Sequence, residues 1–269
     1  MPRGIGMILG HELTLNPFYT TQTYRALAQL PLADRLTELR KPEVRAAILN
    51  EPVDPDPALV LGRMVRDFET MFVLGTPPNY EQPPERSIAG MARAKGITPE
   101  ELAYDIMTEG EDGGKLYLAM ANYSEGSLDT IGEMLSHPDV VLGLGDGGAH
   151  VGTICDASYS TFALMHWVRD RANGRKSVQD IVHRMTGATA DIIGLADRGR
   201  IKQGLRADIN VIDFDSLALG SPEVHYTLPS DGRRLVQRAT GYAATLVRGE
   251  LVSRNDEPTG ALPGRLVRI

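Results

Sequence analysis

The sequence predicts an α/β protein in which strands and helices alternate through most of the chain and strands dominate its end. Three observations predict this. Residues 115–120, 127–136 and 140–144 read as strand, helix and strand, a spacing long enough for a crossover between parallel neighbours. The second of these strands, VVLGLG, is apolar at every non-glycine position, the pattern of a strand covered on both faces, with helices on one side and a barrel interior on the other. From Arg200 onward the apolar period changes to two, so the chain finishes in β-structure.

The remaining elements follow from local signals. Residues 5–9 form an apolar run read as a strand, leading to a polar, turn-prone stretch at 11–21. Helices are expected at 24–39 and 43–49, the second with Pro42 at its first position, where a missing N–H does no harm. Prolines crowd residues 51–84 and read as a long ordered loop around a strand at 70–74. Thr98-Pro99-Glu100-Glu101 combines a capping hydroxyl, a first-turn proline and a glutamate that reaches back, so a helix runs to 108. Helices at 159–172, 178–185 and 188–195 follow, then strands at 207–213, 243–247 and 250–252 with the turn Arg248-Gly249 between the last two.

Composition narrows the function classes. With 269 residues, 42% hydrophobic and 23% charged, the chain has the make-up of a globular protein with a substantial core. A net charge of -7, with no basic run longer than a pair, offers nothing to a phosphate backbone and excludes nucleic acid as the expected partner. Cys155 is the single cysteine, so neither an internal disulfide nor a cysteine-rich zinc site can form, and a cytoplasmic location is expected. No apolar run reaches the roughly 20 residues of a membrane helix, so no membrane is expected as a partner.

The residue placed to do chemistry is Asp146 in GLGDGGAH, set on a glycine turn directly after the 140–144 strand. At the C-terminal end of a barrel strand its carboxylate would face an active site; the same sequence also serves as a plain turn, with the aspartate bonding its own backbone. His150 follows four residues later and could bind substrate or stand as a structural histidine. Tyr123, Ser124 and Glu125 follow the 115–120 strand, which places them on the same rim as substrate contacts, or as a loop feeding the next helix. His11 and Glu12 follow the first strand and are expected on that rim, whereas His137, His166, His183 and His225 are read as structural. No His-x-His, HExxH, Cys-x-x-Cys, G-x-S-x-G or Walker pattern occurs.

GLGDGGAH, TGATADIIGLADRGRIKQGLRADINVIDFD and EPTGALPGRLVR together resemble the C-terminal half of the D-aminoacylase (N-acyl-D-amino-acid deacylase) family of the amidohydrolase superfamily. NYSEGSLDTIGEMLSHPDVV, RGIGMILGHELTLNPF and LPLADRLTELRKPEVR extend the resemblance over nearly the whole chain. It implies the last strands and helices of a TIM-like (β/α)8 barrel over residues 1–197 and part of a small β-sandwich over 198–269. It implies zinc as cofactor, with Asp146 beside the metal shuttling a proton between water and the leaving amine, and a small-molecule amide such as an N-acyl-D-amino acid as substrate. The family's main histidine ligands come from earlier strands and are not in this chain. The expected partner is therefore an N-terminal half of the same enzyme, and the other reading is an inactive remnant or interaction subunit.

Overall fold

A computed structural model describes residues 1–52, 60–144 and 147–267. Its centre is a three-stranded sheet in the order β1 (Ile5–Leu9), β3 (Leu116–Ala121), β2 (Met71–Val73). Alternation along these strands divides the core in two. Ile8, Phe72, Tyr117 and Ala119 face one apolar cluster with Trp167 and Phe162. Met7, Leu9, Met71, Leu116 and Leu118 face another with Phe18, Leu36, Tyr104 and Met107. Since side chains alternate across a strand, two-sided burial demands an unbroken apolar run such as MIL or LYLA. Gly6 sits where β1 passes under Tyr117: a Cβ there would lie 2.3 Å from a Tyr117 ring carbon and 2.6 Å from the Leu118 carbonyl oxygen.

One expectation is overturned. β3 runs antiparallel to both neighbours, with Leu9 opposite Leu116 and Ile5 opposite Ala121 on one side and Val73 opposite Leu116 on the other. Residues 140–144 form no strand, so the parallel strand, helix, strand unit does not form. Apolar continuity reports burial on both faces, which holds for most of β1 and β3 but not for residues 140–144, where Leu142 is buried and Gly143 exposed; it does not report direction. With more than 100 residues between β1 and β3, the linking chain can return the strand either way. The α/β class stands, and the described sheets are open.

The helices form where their ends are satisfied. Residues 24–39 divide into α1 (Gln22–Leu27) and α2 (Leu32–Leu39), because Pro31 takes an extended conformation, ψ 149°, immediately before α2. α3 (Pro42–Asn50) and α4 (Val60–Met64) follow. α5 (Ile88–Lys95) is capped by the Ser87 hydroxyl and closed by Gly96 in the left-handed region at φ 68°. α6 (Pro99–Thr108) starts on the capping box read from the sequence, Thr98 accepting from the Glu101 amide and Glu101 accepting from the Thr98 amide. α7 (Asp129–Met134) and α8 (Tyr159–Phe162) are short; α8 continues as a π-helix over Ala163–Asp170. α9 (Val178–Met185) and α10 (Gly187–Ile192) complete the helical part, and among the described residues no helix is long and apolar enough to cross a membrane.

The rest is β-structure, as the change of period predicts. β4 (Ile209–Ile212), β9 (Tyr242–Val247), β10 (Glu250–Arg254) and β11 (Glu257–Pro258) make an antiparallel sheet in the order β11-β10-β9-β4. β5 (Ala218–Leu219) pairs with β8 (Ala239–Thr240), and β6 (Glu223–Leu228) with β7 (Gly232–Val236).

Glu81 ties the proline-rich loop to α7 and the π-helix. Its carboxylate is 2.5 Å from His166 Nε2, accepts from Arg171 Nη2 at 2.8 Å and Nε at 3.0 Å, and accepts from the Leu128 amide at 2.9 Å. Burial alone would raise its pKa, but the bonds from His166 and Arg171 prevail and hold it far below the usual carboxylate range. A depressed carboxylate contributes stability above its unfolded value of about 4.3, and that contribution is lost as pH falls below it.

Two predictions follow from these contacts. Thr98→Ala removes the α6 cap and lowers unfolding free energy by about 1 kcal/mol, read as a shift in the urea midpoint. Glu81→Gln lowers it by about 2 kcal/mol at neutral pH, and the gap to the unmodified protein narrows as pH is lowered from about 5; a gap that does not change with pH counts against the assigned carboxylate.

Candidate functional site

The loop 147–157 lies along the outer edge of β1, where the Ile8 amide donates to the Thr153 carbonyl at 2.7 Å. Its far side is held by β7, whose Leu235 amide donates to the Val151 carbonyl at 2.7 Å. Between them is a cavity of about 410 Å³ lined by Ile5, Gly147, Gly148, His150, Cys155, Asp156 and Arg234, among others.

Arg3 fixes the floor of this region. Its side chain is 1% exposed, donates to the Cys155 carbonyl at 2.7 Å and to Asp156 Oδ1 at 2.9 Å, and lies 3.9 Å over the Tyr80 ring. Neighbouring residues are pinned too: Trp167 Nε1 donates to the Pro2 carbonyl at 2.6 Å, and the Tyr117 hydroxyl to the Gly4 carbonyl at 3.1 Å. No motif announces this arginine, so the sequence carried no signal for it.

His150 sits in the left-handed region at φ 51° and its carbonyl accepts from the Thr153 and Ile154 amides, both at 2.9 Å. Its ring is exposed in the cavity wall. Cys155 is buried, and burial raises its thiol pKa to about 11, so at neutral pH the free thiol stays protonated. Asp156 is committed to Arg3.

Asp146, expected as the catalytic and metal-side carboxylate, lies outside the described residues. The other expected contacts do not join His150. Tyr123 is 3% exposed, donates its hydroxyl to the Gln82 carbonyl at 2.6 Å and meets Phe72 edge-on, which places it in the core and away from the His150 cavity. Ser124 and Glu125 are exposed, and neither lines the His150 cavity. The common rim with His11 and Glu12 fails for a topological reason. In the antiparallel pair the end of β3 lies beside Ile5, whereas His11 follows Leu9 at the opposite end. His166, read as structural, is held by Glu81 and stacks on Phe162 with ring centroids 4.7 Å apart.

A zinc ion does not fit the described residues. Among them, no group of three or more histidine, cysteine or acidic side chains is arranged to hold a metal. Around Glu81, His166 and Asp129 the space is taken by Arg171, whose Nη2 donates to Glu81 and, at 2.6 Å, to Asp129. A cation already occupies that acidic ground.

Comparison with known proteins places the chain. A D-aminoacylase of Alcaligenes xylosoxydans xylosoxydans is 28% identical over 166 residues, which is 61% of this chain and 31% of the relative. This chain therefore spans about a third of the length of the curated relative it matches. A crystal structure of D-aminoacylase is 19% identical, with 71% of this chain and 36% of that one covered at a TM-score of 0.38. Another, with a binuclear metal center, is 20% identical over the same shares at a TM-score of 0.37. Superpositions this loose say nothing about side-chain geometry. The family model described as "Amidohydrolase family" matches residues 1–253, nearly the whole of the chain, and the chain belongs to the amidohydrolase family.

Proposed function

We propose that this chain supplies the C-terminal elements of a metal-dependent hydrolase of non-peptide C–N bonds, with N-acyl-D-amino acids as the substrate class. The observation that carries the reading is family membership across residues 1–253, supported by the likeness to a D-aminoacylase. Residues 1–197 belong on this reading to the closing part of a TIM-like barrel and 198–269 to a small β-sandwich. The succession of β-strands from Ile209 to Pro258, broken only by a single helical turn, supports that division.

Asp146 is the general base and then the general acid: its carboxylate takes a proton from attacking water and returns it to the leaving amine. On this reading His150, four residues on, hydrogen-bonds the substrate, and its exposure in the cavity wall supports that role. Zinc would polarise the amide and acidify the water. Its ligands come from beyond the described residues, in an N-terminal part of the same enzyme.

Amine release from N-acetyl-D-amino acids is measured with zinc for the chain alone and for the chain mixed with the D-aminoacylase segment that precedes the matched region. Turnover is expected in the mixture and not in the chain alone, with Asp146→Asn reducing it about 10²–10⁴-fold. An Asp146→Asn mixture as active as the unmodified one overturns the role of Asp146. Turnover by the chain alone overturns the divided metal site. A folded complex without turnover supports the interaction subunit instead.

A further inference from the structure

Four segments of the chain converge beside the β9–β10 turn. The Arg206 amide donates to the Asp197 carbonyl at 2.7 Å and the Gly249 amide to the Ala207 carbonyl at 2.8 Å. Arg248 opens the turn in the left-handed region, φ 55°, and its amide donates to Asp208 Oδ1 at 2.9 Å. Together with Arg265 from the C-terminal segment, Asp197, Arg198, Arg206 and Arg248 line a cavity of about 830 Å³. It shares no residue with the His150 cavity.

The four arginines of this wall outnumber the acids that hold them. Asp197 is committed to Arg198, accepting from its Nε at 2.7 Å and its Nη2 at 3.1 Å. Asp208 is shared: both its oxygens accept from Arg206 Nε, at 2.8 and 2.6 Å, while Arg198 Nη1 lies 3.8 Å from Oδ2. One carboxylate thus draws together two guanidinium groups that are only 18% and 20% exposed. Arg206 uses Nε alone; its Nη1 and Nη2 have no acceptor among the described residues, and neither is sealed from the surface. The Arg248 and Arg265 guanidinium groups have no acceptor among the described residues either. Glu250 shares a neighbouring cavity with these two, yet neither is ion-paired to it among the described residues. Like charges gathered in a cleft repel one another and focus a positive potential there, in a chain whose net charge is -7. Guanidinium forks match the paired oxygens of phosphates and carboxylates. The volume falls within the range of small-molecule sites, about 300–1,000 Å³, and three separate side chains with donors to spare call for more than one anionic group.

We propose that this cavity binds a small multivalent oxyanion, a ligand with two or more phosphate or carboxylate groups, through the Arg206 Nη groups and the guanidinium groups of Arg248 and Arg265. The site is separate from the His150 cavity and independent of the hydrolase reading.

The test is isothermal titration calorimetry of the full chain with inorganic pyrophosphate and, separately, citrate, each against sodium chloride of equal ionic strength. At least one of the two is expected to bind saturably, and more weakly as salt is raised. Binding of pyrophosphate alone assigns a phosphate ligand, and of citrate alone a carboxylate ligand. Arg248→Gln and Arg265→Gln remove no side-chain contact among the described residues, and each is expected to weaken binding about tenfold. Arg206→Lys, which keeps the charge and loses the planar fork, is expected to weaken it too. Lys95→Gln, on the exposed face of α5 and outside the cavity, is expected to leave it unchanged. The proposal fails if neither anion binds saturably, if chloride gives the same heats, or if the Arg248→Gln, Arg265→Gln double variant binds as the unmodified chain does. It also fails if Lys95→Gln weakens binding as much as the cavity variants, because net charge and not the cavity then holds the anion.

Discussion

The three-stranded sheet is buried on both faces, and the rest of the structure is arranged around that constraint. Neither face can be left to water, so each needs its own cover. α6 with α2 and α5 supplies one, while the π-helix and α7 supply the other. Tyr117 and Leu118 are adjacent in sequence and belong to different cores. A one-residue slip in register would exchange the two sets and fit neither. Gly6 is the local expression of the same crowding, since the Tyr117 ring takes the room its Cβ would need.

The edge of β1 not paired with β3 is where the candidate site is assembled, through backbone hydrogen bonds and a buried charge. Arg3 reaches the loop at Cys155 and Asp156 while its flat face rests on Tyr80. A guanidinium with two such partners and an aromatic surface tolerates burial that an isolated cation would not. The loop is thereby held against the sheet and against β7, and His150 is carried to the cavity wall. The Glu81 cluster works in the same way on the far side of Trp167, where Arg171 is the cation and three elements meet.

How much could be read beforehand varies from residue to residue. The α6 start was legible because its signal is local: a hydroxyl, a proline and a glutamate within four positions satisfy the first-turn amides whatever surrounds them. The limits of β1 and α9 were legible for a similar reason, a short apolar run and a strong helical period. The division of residues 24–39 rests on an equally local signal, Pro31, which cannot continue a helix from the residues before it. The shared rim was not legible, because it depended on strand direction. Tyr123 shows the consequence: it follows β3 as expected, yet its hydroxyl is spent on Gln82, far away in sequence.

The sequence by itself determined the α/β class, the change to β-structure after Arg200, the caps and the family. Those rest on composition, on periodicity and on motifs that act over a few residues. Tertiary structure alone decided that β3 opposes both its neighbours, that Arg3 is tied to Asp156 and Glu81 to Arg171, and that His11 is buried against Tyr24. Direction, burial and partnership are properties of segments that meet across more than 100 residues of chain, and no local pattern encodes which of them will meet.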